Sequence, residues 1–160
     1  MATGRWWSAI LASVVLVLSA CSASNPQATP MQPSQATQSP SSTGQNEVAV
    51  TLQQWSITPT STTVPAGVTT FSVTNVGTIP HEFVVLSTDT PAADFPIGSF
   101  EGEPNRLDED TAGANVGETG DMEPATTKTL TIDLKPGHYA FVCNLPAHYG
   151  LGMHVDFTVP

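Results

Sequence analysis

The chain has little positive charge. Its 160 residues carry 4 lysines and arginines against 14 aspartates and glutamates, a formal net charge of −10. That balance excludes nucleic acid as a partner, because a phosphate backbone is held by clustered cations. It suits a soluble surface and, if a protein partner exists, a basic one. Charge of either sign is scarce at 11%, while 14 prolines and 12 glycines break up any long helix. The 2 cysteines are too few for a disulfide framework. No internal repeat is visible. The longest uncharged, mostly apolar stretch, Ser8 to Ala20, is 13 residues long, too short to span a bilayer.

That stretch reads as a targeting segment. Arg5 supplies the positive start, "VVLVL" the apolar centre and small residues the end. The run closes on "LSAC", Leu18 to Cys21, which resembles the lipobox of bacterial lipoproteins. The resemblance implies that residues 1–20 are a signal peptide and that Cys21 carries lipid at a new N-terminus. A plain secretory signal cut nearby is the alternative. Both place the chain outside the cytoplasm, and the lipobox adds an anchor to a bacterial cell membrane. With Cys21 lipidated, Cys143 is a lone thiol in an oxidising compartment, so it is expected to be buried or metal-bound; a Cys21–Cys143 disulfide is the competing reading.

Residues 21–46 hold the lipidated cysteine and a Ser/Pro/Gln/Thr-rich run with no charge and almost no large apolar side chain. Such a composition cannot offset its ordering entropy, so a flexible tether is expected. Residues 47–160 read as one all-β domain, a Greek-key β-sandwich or barrel of about eight strands. Val48, Val50 and Leu52 alternate, and the phase then slips at Gln53–Gln54 as if by a bulge, placing Trp55 in the core. Phe71 and Val73, then Leu130, Ile132 and Leu134, then Tyr139, Phe141 and Cys143, then Met153, Val155, Phe157 and Val159 alternate likewise. Between Thr88 and Ala125 the pattern stops. Within it, residues 101–123 carry 8 acids against Arg106, and the expectation is a long acidic loop insertion, more a solvated face than a docking site.

"CNLPAHYGLGM", residues 143–153, gathers a thiol, an imidazole and a thioether in a chain with only 4 histidines and 4 methionines. Strand parity sets Cys143 with Tyr139 and Phe141, Met153 with Val155 and Phe157, and His81 with Phe83 and Val85. All three lie on core-facing tracks at strand ends, and His148 lies in the loop joining two of them. Two imidazoles, a thiolate and a thioether are the ligand types of a blue-copper electron-transfer site. Zinc fits less well, since structural zinc rarely uses Met and catalytic zinc keeps an open position. His138 and His154 have outward parity. Asn75 and Asn144 are candidates for hydrogen bonds around the metal, with turn chemistry as the alternative.

With "NVGTIPHEFVVL" and "GHYAFVCNLPAHYGLGMHVDFTV" in view, residues 47–160 resemble the cupredoxins, the superfamily of plastocyanin, azurin and rusticyanin. The Cys-x4-His-x4-Met spacing is more similar to rusticyanin and sulfocyanin than to plastocyanin. The resemblance implies one type 1 copper per chain, held by His81, Cys143, His148 and axially by Met153. It implies a monomer that passes electrons between redox proteins, such as a basic cytochrome or a copper enzyme. Pro80, Pro146, Ala147, Tyr149 and Leu151 would form the apolar docking patch around His148. Glu82 stands where plastocyanin and azurin have Asn. Two other functions compete. A copper-delivery lipoprotein would favour exposed Met- and His-rich sites over a buried thiolate. A multicopper oxidase or nitrite reductase needs further histidine clusters, and only His138 and His154 are to spare, so no enzyme is expected.

Overall fold

The computed structural model describes residues 45–160. The signal segment, Cys21 and the tether up to residue 44 lie outside the described residues. Ten strands form in chain order: β1 Asn46–Gln53, β2 Ser56–Pro59, β3 Gly67–Asn75, β4 Val84–Ser87, β5 Ile97–Phe100, β6 Glu103–Leu107, β7 Ala114–Glu118, β8 Thr127–Leu134, β9 Gly137–Val142 and β10 His154–Val159. A one-turn helix α1, Glu109–Ala112, lies between β6 and β7, and a 3-10 turn, Tyr149–Leu151, precedes β10.

Two four-stranded sheets, in the orders β2-β1-β3-β8 and β10-β9-β4-β7, make the sandwich, and β5 and β6 form a separate hairpin. The described residues are thus all-β apart from α1 and the 3-10 turn, and eight of the ten strands form the sandwich itself. β1 and β3 run parallel with Val48 beside Phe71, while the other pairs are antiparallel. Alternation decides which side chains enter the core. Val48, Val50 and Leu52 from β1, Phe71 and Val73 from β3, and Ile132 and Leu134 from β8 face Tyr139, Phe141 and Phe157 of the second sheet. At the centre, the Phe141 ring lies 4.6 Å from Phe157 in a stacked pair, 4.9 Å from Phe83 and 5.4 Å from Phe71. Burying each such ring contributes about 1.5–3 kcal/mol, and Phe83 and Phe141 each stand two residues from a candidate ligand, His81 and Cys143.

Three expectations fail here. The phase slip after Gln53 is a hairpin turn, not a bulge: β2 folds back on β1 with Leu52 opposite Ile57. The turn carries Trp55 out of the core, where it is 38% exposed. The stretch from Thr88 to Ala125 is not a loop. It contains β5, β6, α1 and β7, β7 pairs with β4, and Ala92, Phe95, Leu107 and Ala112 form a second core with Val84, Leu86, Ala140 and Val142. Those last four side chains lie on the outer face of the second sheet. The 88–113 segment therefore covers a face that would otherwise expose apolar side chains to water.

Candidate metal centre

The loop between β3 and β4 presents His81, and a single buried amide fixes that loop. Asn75 donates from Nδ2 to the carbonyls of Ile79 (2.9 Å) and Met122 (2.8 Å), and its Oδ1 accepts the Gly77 N–H (2.9 Å). A β-carbon at Gly77 would lie 2.8 Å from His81 Nε2 and 2.5 Å from Gln54 Oε1, so only glycine lets the imidazole sit against this backbone. The main chain of His81 then exchanges two hydrogen bonds with Met122, at 3.1 and 2.8 Å.

The hairpin of β9 and β10 presents the rest. Cys143 follows β9 directly, and its N–H donates to the Met153 carbonyl at 3.0 Å, extending the ladder by one rung. Between them the chain makes a tight excursion that brings His148 back over the hairpin, with His148 N–H on Leu145 O (3.0 Å) and Met153 N–H on His148 O (3.2 Å). Gly152, at φ 108°, supplies the left-handed residue that ends the 3-10 turn.

The donor atoms converge. His81 Nδ1 and His148 Nδ1 are 3.2 Å apart, and Cys143 Sγ is 3.3 Å from His148 Nδ1. Among the described residues this is the one group of three or more His, Cys, Asp or Glu whose ligand atoms all lie within 4.8 Å of one another. Met153, fully buried in the same core, is tied to Cys143 through the backbone rung. His81, Cys143 and Met153 are at 0% exposure and His148 at 9%, so His148 is the edge of the site that meets water.

Burial sets the protonation. Desolvation, and then the neighbouring His148, lowers the pKa of His81; desolvation lowers that of His148. Both rings are neutral near pH 7, with a lone pair available for a metal. Desolvation pushes the Cys143 thiol up to about 11, against the opposing pull of the Glu82 and Leu145 N–H groups. The Glu82 N–H donates to Sγ at 3.3 Å. Two facing Nδ1 atoms and a sulfur at these separations are well satisfied by a soft or borderline cation between them. His81 Nε2 is buried with no hydrogen-bond partner, so this ring's polar contacts lie on its Nδ1 side. Two imidazoles, a thiolate and a thioether fit a single type 1 copper, and they fit zinc less well.

Of the two asparagines expected to form hydrogen bonds around the metal, neither has the Cys143 sulfur as its partner. Asn75 locks the His81 loop, and Asn144 turns its amide toward β6 and α1. Asn144 Oδ1 accepts the Leu107 N–H (2.7 Å), and Nδ2 donates to Leu107 O (3.2 Å) and Glu109 Oε1 (2.7 Å). The sulfur is served instead by the Glu82 backbone, whose N–H is independent of the side chain at that position. Tyr149 does not belong to an exposed patch: it is buried, and its hydroxyl accepts the Phe95 N–H at 3.0 Å. Pro80, Pro146, Ala147 and Leu151 are exposed as expected. His138 and His154 are half-buried and take no part in the site; His138 binds Thr88 O and Asp156 Oδ1, and His154 packs on Tyr149. Trp55 is the neighbour that strand parity misplaces. Its ring meets His148 edge-on at 4.9 Å and His81 at 6.4 Å. The signal for it was its position at the phase slip, where alternation no longer fixes a face.

A buried thiol between two imidazoles, at one end of a two-sheet sandwich, defines a class of metalloprotein. The chain belongs to the cupredoxin-like domain family, whose family model matches residues 9–153. Among solved structures it is similar in fold to auracyanin A, a "blue" copper protein from the green thermophilic photosynthetic bacterium Chloroflexus aurantiacus. That likeness has a TM-score of 0.51 at 17% identity and covers 73% of this chain and 100% of auracyanin A. Rusticyanin from Thiobacillus ferrooxidans is similar with a TM-score of 0.50 at 18% identity, covering 72% of this chain and 77% of rusticyanin. No curated protein matches the chain. Among the described residues, no helix is long and apolar enough to cross a membrane.

Proposed function

We propose that the protein is a membrane-tethered carrier of single electrons, in which His81, Cys143, His148 and Met153 would hold one copper ion. The observation that carries this reading is the closed donor set, with three ligand atoms within 4.8 Å and all four side chains buried. When bound, copper alternates between Cu(I) and Cu(II). The side chains do the rest. Held on strand ends and by the Asn75 amide, they cannot follow either oxidation state to its own preferred geometry, so little rearrangement opposes electron exchange. The Glu82 N–H stabilises the thiolate, and the aromatic core below excludes water. His148, with Trp55 against its ring, is the exit toward a partner. The burial of Cys143 disfavours copper delivery, because a metal handed to an acceptor must be reachable.

The lipobox-like "LSAC" supports lipid at Cys21 and an extracytoplasmic place at the membrane, and the acidic surface supports a basic redox partner such as a cytochrome. Cyclic voltammetry of the copper-loaded full chain tests the carrier reading. A reversible one-electron wave with copper retained over repeated cycles is expected; copper lost on each reduction would favour delivery. Mass spectrometry of membrane-extracted protein tests the anchor: the expected N-terminus is a diacylglycerol-modified Cys21, and an unmodified, soluble one would refute it.

A further inference from the structure

Next to Glu82, whose N–H meets the Cys143 sulfur, a cleft of about 260 Å³ is lined by that residue and by side chains of the 100–118 segment. Its lining includes Glu82, Glu109, Asp110, Asn115, Glu118 and Arg106. With Glu101 it holds five carboxylates against one guanidinium. That guanidinium is already committed, through Nε to the Asn144 carbonyl (2.6 Å) and through Nη1 to Glu103 (3.0 Å). Asn115 Nδ2 bridges Glu109 Oε2 (3.0 Å) and Glu118 Oε2 (2.8 Å), holding two of the carboxylates together. Glu82 has no such arrangement: it is only 7% exposed, and its Oε2 has no hydrogen-bond partner. An unpaired carboxylate oxygen in a buried position costs several kcal/mol unless something satisfies it.

We propose that this cleft is a second metal site, for one partly hydrated divalent cation of the calcium type, bound directly by Glu82 and Glu118 and through water by Glu109 and Asp110. The lining offers oxygen donors and no sulfur or imidazole, which suits a hard cation and cannot make a second thiolate-bound copper site. No three of these carboxylates bring ligand atoms within 4.8 Å of one another as the copper ligands do, so the ion keeps some of its water, for which the cleft has room. Calcium tolerates such loose, irregular coordination, whereas magnesium demands a near-ideal octahedron. This site goes beyond the electron-carrier reading and needs no copper for its occupancy.

The test is isothermal titration calorimetry of the full chain with calcium chloride at constant ionic strength, in copper-loaded and copper-free forms. One saturable equivalent is expected, with a dissociation constant of about 10⁻⁴–10⁻³ M, the range of extracellular calcium modules. Glu82→Gln and Glu118→Gln should each weaken it by at least about tenfold, because a charged ligand is lost. Glu118 is exposed and far in sequence from the copper ligands, so its variant guards against misfolding at Glu82. Glu123→Gln, an exposed acid outside the cleft, should leave the affinity unchanged. Absence of saturable heat would overturn the site, and so would equal weakening by Glu123→Gln, which would mean a diffuse counterion atmosphere. Because calcium stoichiometry is read without colour, failure here is separate from failure of the copper assignment.

Discussion

Asn144 joins the metal-ligand loop to the segment that covers the second sheet, and removing its side chain should show how much that join contributes. Asn144→Ala deletes three hydrogen bonds of a fully buried amide: two to the Leu107 backbone and one to the Glu109 carboxylate. The truncation leaves the Leu107 N–H and C=O and the Glu109 oxygen without these partners. Each neutral bond is worth about 1 kcal/mol and the charged one about 1.5–3 kcal/mol. The variant should therefore lose about 4 kcal/mol, a large share of the roughly 5–15 kcal/mol by which domains are stable. For a domain of this size about 4 °C of melting temperature corresponds to each kcal/mol, so the midpoint should fall by about 15 °C. The assay is thermal denaturation of the copper-free full chain by circular dichroism, since bound metal would add its own stabilisation. A fall of less than about 4 °C, or about 1 kcal/mol, would refute the reasoning. It would mean that water replaces the amide and that the segment and the loop are independent.

Other perturbations address the donors themselves. Cys143→Ser should keep the fold and abolish intense visible absorption in the copper-loaded protein; a variant that stays coloured would remove Cys143 from the ligand set. Met153→Leu should retain copper and raise the reduction potential, because a thioether donor stabilises Cu(II); a lowered potential in voltammetry would make the axial role wrong. Gly77→Ala forces a methyl to within 2.8 Å of His81 Nε2, so it should displace the imidazole and weaken copper binding by about tenfold or more, as loss of a supporting contact does. Unchanged affinity in a competition titration would show that His81 does not depend on this packing.

Three of the candidate ligands, His81, Cys143 and Met153, were legible because each stands next to a strand whose alternation is local, and His148 was legible from its place in the loop between two of those strands. Cys143 shares the parity of Phe141, and Met153 that of Phe157, so two residues ten apart meet across one hairpin. His81 needed only the parity of Phe83. Trp55 was not legible, because a turn resets parity and the sequence could not show whether β1 continued or folded back. The cover from Thr88 onward escaped for a different reason. Ala92, Phe95, Leu107 and Ala112 are isolated among polar residues and show no period. A clue lay in the strands they cover: "FVVL" and "YAFV" are continuous apolar runs, the mark of a strand buried on both faces. Nothing local could give Asn144 its partners, which stand 37 and 35 residues away.

The central claim is that His81, Cys143, His148 and Met153 close around one copper ion. Visible absorption of the full chain, titrated with Cu(II), tests it most directly. The account predicts an intense thiolate-to-copper charge-transfer band that grows linearly and stops at one equivalent. A protein that binds copper with only faint absorption, or whose band does not saturate at one equivalent, would contradict it.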